Sequence, residues 1–276
     1  MSNIFKQLAR LQDLQFAHLE KQSLLHNKEF IKIEDSINII LRNLPDEVAY
    51  QYKKLQKHYK NPVVVVSVEM GCCAGCRISL PTTLVQEIIS RKKIHFCPNC
   101  SRIIIYREEP GMLTKKLIKK GSGIGRFSSP QLVLPNLKAE TRDSVLLELI
   151  QTIVKAGLTN KPEELLEKAI EREEMVSTAV SSSLAFPHVR TKGLDRLCFV
   201  MGIKKRGLRF NPENRKLIKI IFFTIIPPTA GNFYLQLIGS FMNVLKSTES
   251  RKALLAEKTK DGLWTTFNNL TKDIIT

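Results

Sequence analysis

The stretch EREEMVSTAVSSSLAFPHVR, residues 171–190, decides how the second half of this 276-residue chain folds. It opens charged and helix-like, passes through a run of serines, and turns apolar at Leu184–Phe186. Pro187 then hands the chain to His188. Proline fixes its own φ and biases Phe186 toward extended backbone, so the apolar run reads as a strand that the chain leaves along a defined path. On this reading His188 stands exposed at the strand's exit. A histidine there can be an ordinary loop residue, a metal ligand, or a group held out to react.

The flanking sequence reads as alternating helices and strands, as in an α/β domain. Residues 140–156 and 163–174 have helical spacing, with Pro162 suited to the first turn of the second. RLCFVMGI (196–203) and LIKIIFFTII (217–226) read as buried strands, and NFYLQLIGSFMNVLK (232–246) as a helix packed on the sheet.

The first half is different. Apolar residues recur at helical period from Ile4, Leu8 and Leu11 through Phe16 and Leu19 to Ile33, Ile37, Ile40 and Leu44. Pro45 and Asp46 are expected to break this into a helical hairpin whose second arm runs to about Lys60. VVVVSVEM (63–70) is strand-like, and Pro110-Gly111, GSGIG and Pro135 punctuate a linker. Four parts result: a helical hairpin arm at 1–60, a small cysteine-rich domain at 61–109, a basic flexible linker at 110–130, and an α/β domain at 131–276.

Composition adds bounds. With 43% hydrophobic residues the chain can bury a sizeable core, and its longest apolar run, Ile220–Pro228, is too short to span a bilayer. The N-terminus lacks the apolar core of a signal peptide, so a cytoplasmic protein without membrane insertion is expected. The net charge is +17, from 43 basic and 26 acidic residues. Residues 114–126 carry five basic residues and no acid, and 190–219 carry ten against Asp195 and Glu213. Such charge favours acidic partners, nucleic acid included, or serves only solubility.

Five of six cysteines lie between 72 and 100. Cys73-x2-Cys76 and Cys97-x2-Cys100 each turn two thiolates toward one point, and two such knuckles make a closed four-sulfur site suited to structural Zn²⁺. Two disulfides are the rival, disfavoured in a cytoplasmic chain. Cys72 can replace Cys73 by spacing, though Cys73 is preferred. Cys198, inside a strand, reads as a core residue. Residues 68–106, with the knuckles, the Leu80-Pro81 that follows the first and CPNC-x-R-I, resemble C4-type zinc-ribbon proteins bearing a coiled-coil arm. The resemblance implies a nucleic-acid-binding or scaffold role, for which Arg77, Arg91, Lys92, Lys93, Arg102 and Arg107 permit phosphate contacts. Phe96 and Tyr106 are too few to argue base stacking.

The opening stretch, with Arg172, Glu173, Ser177, Thr178, Ala185, Pro187 and His188, resembles the fructose/mannitol-type IIA domain of the bacterial sugar phosphotransferase system, which includes nitrogen-related IIA regulators. The resemblance extends over about 131–276. It implies a mixed sheet flanked by helices and a phosphoryl group accepted on His188 from an HPr-like donor, with a downstream regulatory protein as a further partner. Arg172 would counter the phosphoryl charge, while Ser177 and Thr178 would donate hydroxyl hydrogen bonds to it. Two positions depart from the family pattern. Serines 181–183 stand where glycine is usual, so the turn adopts positive φ less easily. Tyr234 stands where mannitol-type domains place a second histidine, and it can still donate a hydrogen bond. The competing readings are a zinc-ribbon adaptor or nucleic-acid binder with a degenerate IIA domain, and an Arg172 paired with Glu167 or Glu174.

Overall fold

A computed structural model describes residues 2–23, 27–59, 63–69, 71–107, 123–180, 183–191, 197–210, 217–227 and 230–273. The chain divides into two compact units, 1–109 and 110–276.

In the first unit three helices precede the ribbon: α1 (Ser2–Ser23), α2 (Asn27–Arg42) and α3 (Asp46–His58). The two-armed hairpin expected from sequence is described as three helices, with residues 24–26 outside the described residues. The break at Pro45 occurs as expected: Pro45 precedes α3, whose first turn carries Asp46 and Glu47 against the helix dipole. Leu8, Leu11 and Leu14 of α1, Ile33 of α2 and Tyr52 of α3 are almost fully buried. Gln15 ties arm to ribbon: it donates to Tyr52 Oη at 3.2 Å and accepts from Val65 N at 3.2 Å. Burial pushes the Tyr52 hydroxyl up to about 12, against the opposing hydrogen bond from Gln15.

The ribbon is a four-stranded sheet in the order β2-β1-β4-β3, built from β1 (Val65–Glu69), β2 (Cys72–Cys73), β3 (His95–Phe96) and β4 (Ile103–Ile105). Helix α4 (Thr82–Ser90) crosses between its two halves. The apolar core is small, with Val66, Val68, Leu80, Ile88 and Ile104 packed around the cysteines.

The second unit holds a mixed six-stranded sheet. Its strands are β5 (Val133–Leu134), β6 (Ala179–Val180), β7 (Leu184–Ala185), β8 (His188–Arg190), β9 (Cys198–Leu208) and β10 (Ile218–Ile226). The order is β5-β9-β10-β7-β6, with β8 also on β10. Helices α5 (Arg142–Lys155) and α6 (Pro162–Met175) precede β6, and α7 (Gly231–Leu245), α8 (Thr248–Ala256) and α9 (Lys260–Thr271) follow β10. Helix α5 starts on a capping box between Thr141 and Ser144, and α6 starts on Pro162.

Alternation along the long strands sorts the two faces. Cys198 and Val200 of β9, with Ile221, Phe223 and Ile225 of β10, join Leu146, Leu149 and Leu165 in the core under α5 and α6. On the other face Phe199 and Phe222 meet Phe241 of α7 and Phe267 of α9, with ring centroids 5.1–6.1 Å apart. Gly202 lies under Leu137, whose side chain would meet any added Cβ at 2.8 Å.

The strand at 184–190 does not end at Pro187. Leu184 and Ala185 pair with Ile220 and Ile221, and His188, Val189 and Arg190 with Thr224, Ile225 and Ile226. The register is continuous across the two unpaired positions, Phe186, whose N–H goes to Thr178 O, and Pro187, which has no N–H to give. Pro187 still contributes its carbonyl, which accepts from Thr224 N at 2.9 Å. The expected exit from the sheet is therefore a correction: His188 opens β8 on the sheet and is 2% exposed.

Candidate functional site

Alternation places Val189 on the α5/α6 face, so His188 looks to the other side, where Tyr234 descends from the first turns of α7. The two rings lie with centroids 4.9 Å apart, and Tyr234 is fully buried. Arg172 reaches the same imidazole from the last turn of α6. Its Nε donates to His188 Nε2 at 3.2 Å, and its Nη1 donates to Val176 O at 2.8 Å.

The other ring nitrogen has oxygen partners. Nδ1 lies 3.1 Å from Phe186 O and 2.9 Å from Tyr234 Oη, and Tyr234 Oη in turn donates to Phe186 O at 3.3 Å. A carbonyl only accepts, and an Arg N–H only donates. The proton therefore sits on Nδ1, and the Nε2 lone pair faces Arg172. Chemically, this is a neutral nitrogen nucleophile beside a fixed cation.

Ser177 and Thr178 are engaged elsewhere. Ser177 Oγ donates to Glu173 Oε1 at 2.6 Å, Thr178 N to the same oxygen at 2.7 Å, and Thr178 Oγ1 to Glu173 Oε2 at 2.6 Å. The buried Glu173 carboxylate, 4% exposed, thus fixes the path from α6 into β6. Sequence reasoning kept Glu173 only as part of a pattern. The signal for its role is the spacing: Ser177 is four residues and Thr178 five residues beyond it, where a helix-terminal carboxylate meets the next turn's donors.

Ser183 has φ 66°, so this serine takes the left-handed conformation that glycine adopts more easily. Its carbonyl accepts from both Lys219 N and Ile220 N, at 2.8 and 3.1 Å, which fastens β7 to β10 at the start of the ladder. Left-handed backbone costs a non-glycine residue about 1 kcal/mol. Ser183→Gly is accordingly expected to raise the denaturant midpoint by an amount worth about 0.5 kcal/mol, after the added entropy of the unfolded chain. A lower midpoint would show that the serine side chain contributes more than its backbone costs.

In the first unit Cys73, Cys76, Cys97 and Cys100 bring their sulfurs within 4.8 Å of one another. Cys73 and Cys100 are separated by 3.7 Å, as are Cys76 and Cys97. A zinc tetrahedron with bonds of about 2.3 Å has edges of about 3.8 Å, so the donor set fits that ion. The residues after the knuckles, Arg77 and Ser101, both take positive φ, at 64° and 56°. Each returns its N–H to the first cysteine's carbonyl, at 2.8 and 2.9 Å. Cys72 lies outside the four and bridges to Ser79 in the sheet. Burial pushes the Cys73 thiol up and acts the same way on Cys76, where hydrogen bonds from Ile78 N–H, Asn99, Cys100 and Cys97 together outweigh it and bring the thiol down to about 6. A metal would hold all four as thiolates. Cys198 is a buried core residue, with its thiol pushed up to about 12 by burial.

Many of the basic residues have structural partners. Arg107 clasps Asp13 with both terminal nitrogens, at 2.6 and 2.7 Å, and Arg77 pairs with Glu69 at 3.1 Å. Arg102 stacks 3.7 Å from the Tyr59 ring and donates to Val63 O, while Lys93 pairs with Glu87 at 3.2 Å. Lys204 is buried against the Leu137 and Lys138 carbonyls and Glu140, whereas Lys205, Arg206 and Arg209 are exposed. Residues 114–122, which hold most of the first basic run, lie outside the described residues.

A mixed sheet flanked by helices, with a neutral imidazole facing an arginine, defines a phosphotransferase-type IIA domain. The family model described as phosphoenolpyruvate-dependent sugar phosphotransferase system, EIIA 2, matches residues 126–270, more than half of the chain, and the chain belongs to that family. A C4-type zinc ribbon domain matches residues 72–104. The chain is similar to the fructose-specific EIIABC component of Bacillus subtilis, 24% identical over 128 residues. That match covers 46% of this chain and 20% of the relative, so the chain spans about a fifth of that protein's length. A nitrogen regulatory protein of Bradyrhizobium diazoefficiens is 24% identical over 137 residues, 49% of this chain and 88% of the relative. Among solved structures, IIA-Ntr from Neisseria meningitidis aligns with TM-score 0.47 at 16% identity, covering 52% of this chain and 97% of that one. Among the described residues no helix is long and apolar enough to cross a membrane.

Proposed function

We propose that the second unit is a regulatory phosphocarrier that accepts a phosphoryl group on Nε2 of His188 from an HPr-like donor protein. The observation that carries this reading is the double bracketing of one imidazole. Phe186 O holds the proton on Nδ1, and the Nε2 lone pair is directed at the Arg172 guanidinium. In the transfer the Nε2 pair forms the N–P bond, while the bond to the donor breaks and its electrons leave with the donor. Arg172 offsets the charge on the phosphoryl oxygens, and positioning supplies most of the remainder. Ser177 and Thr178 act through Glu173, holding the approach of the chain to β6, with Ser177 nearer the surface than Thr178. Because Arg172 Nε is bonded to Nε2, that hydrogen bond is given up as the phosphoryl group arrives, and the guanidinium turns to the phosphoryl oxygens instead.

Phosphorylation adds about two negative charges to a chain of net charge +17, which suits a soluble cytoplasmic regulator whose partner preference changes with its state. Adaptor or nucleic-acid binding by the zinc ribbon and basic segments is the second reading, favoured by that same charge. The separating experiment incubates the protein with labelled phosphoenolpyruvate, enzyme I and HPr. Wild type is expected to take up acid-labile, base-stable label, and His188→Ala none. A folded wild type that stays unlabelled with every HPr-type donor would leave the domain a repurposed shell.

A further inference from the structure

Tyr234 presents a hydroxyl to the nitrogen that is not expected to carry phosphate, and this has a chemical consequence. Resting on the phosphocarrier reading above, we infer that Tyr234 is a positioning residue whose hydroxyl proton toggles between Phe186 O and His188 Nδ1, setting the lifetime of the phosphohistidine.

In the unmodified ring Nδ1–H has two acceptors, Phe186 O at 3.1 Å and Tyr234 Oη at 2.9 Å, and the Tyr234 proton goes to Phe186 O at 3.3 Å. When Nε2 takes the phosphoryl group, the ring is first an imidazolium that still carries its Nδ1 proton. That form loses phosphate readily: water attacks phosphorus, the N–P pair returns to Nε2, and the ring departs as neutral imidazole. Passage of the Nδ1 proton to the departing group of the donor, the donor's imidazole or ammonia from phosphoramidate, makes the ring a much poorer leaving group. It also leaves a lone pair facing Phe186 O, which can only accept. Tyr234 resolves this clash, because a phenol both donates and accepts. A rotation of its O–H from Phe186 O to Nδ1 needs no movement of heavy atoms. The deprotonated, long-lived phosphohistidine is thereby stabilised by one buried hydrogen bond.

Charged and titratable groups among the described residues approach the ring from three elements. Arg172 faces Nε2 from α6, with Glu173 beside it turned toward Ser177 and Thr178, and Tyr234 faces Nδ1 from α7. Arg190 follows two residues along β8, and the neighbour across β10 is the uncharged Thr224. Of these, Tyr234 is the group bonded to Nδ1 that can exchange donor for acceptor.

Potassium phosphoramidate supplies the test without a protein donor. Its P–N pair leaves as ammonia, which takes up the Nδ1 proton as ammonium, so the step balances. Full-length wild type and Tyr234→Phe are labelled, with His188→Gln as the check on position. Decay of the label is then followed across pH. The half-life of the Phe variant at neutral pH is expected to fall about fivefold, the worth of one net hydrogen bond, with its acid-accelerated limb reaching to higher pH. Equal half-lives and superimposable profiles would overturn the inference while leaving the phosphoacceptor intact. Absence of label on wild-type His188 would overturn both. Should the Phe variant not fold, the ¹⁵N signal of Nδ1 in phosphorylated wild type decides: a lone-pair nitrogen at neutral pH supports the toggle, and a protonated one refutes it.

Discussion

Cys97→Ser protein is expected to purify without stoichiometric zinc and with an unfolded ribbon, whereas Cys72→Ser keeps both. The reason is the size of the core. Five buried aliphatic side chains around the cysteines, with partly buried neighbours such as Val63, Leu84 and Val85, make a small core, and domains this small lean on metals or other cross-links. Structural zinc supplies about 10–16 kcal/mol in comparable small sites, far more than the apolar packing there. Serine at 97 removes one thiolate and leaves Cys76 facing an oxygen at the edge it shares with Cys97. Elemental analysis and the number of titratable thiols before and after a chelator give the measurement. Stoichiometric zinc retained in Cys97→Ser would sink the four-cysteine assignment, and zinc lost from Cys72→Ser would reopen the choice between Cys72 and Cys73.

The second large effect concerns Arg172. Its replacement by alanine is expected to slow phosphoryl transfer to His188 by about 10²–10³-fold, the usual loss when one fixed electrostatic donor is removed. Arg172→Lys should fall between, because an ammonium keeps the charge but cannot contact Val176 O and the reacting nitrogen side with one planar fork. Folding need not suffer greatly, since the hydrogen bond to Val176 O is worth about 1 kcal/mol. Single-turnover transfer from phosphorylated HPr measures the rate, and thermal unfolding of each variant controls for structure. An alanine variant within threefold of wild type would remove Arg172 from the transfer step.

The long elements were legible because their patterns repeat. β9 and β10 are apolar over most of their length, α5 repeats apolar residues at helical spacing, and Pro162 announces the start of α6. The two-residue strands β5, β6 and β7 are too short for any period to register. The division of the arm into three helices was missed because helical apolar spacing continues from Ile4 to Leu44 and the first proline is Pro45. His188 and Arg172 were readable as a pair of residue types. That the imidazole is buried was not, since Pro187 looks like an exit and only pairing with a strand over thirty residues later keeps the chain on the sheet. The engagement of Ser177 and Thr178 by Glu173 likewise depends on how α6 ends, which local propensity does not set.

The unbroken register through Pro187 bears on which length changes the domain can survive. An extra residue ahead of Leu184 changes only a turn, and loops absorb such insertions at small entropic expense. One added between Ala185 and His188 inverts every side chain that follows. The imidazole would then take the place of Val189, opposite Ile225 and among the apolar side chains under α5 and α6, and would no longer face Tyr234. Homologous chains carrying an active histidine should therefore vary in length before this strand and keep a fixed count within it, so that two residues of spacing are as diagnostic of a working domain as the histidine itself.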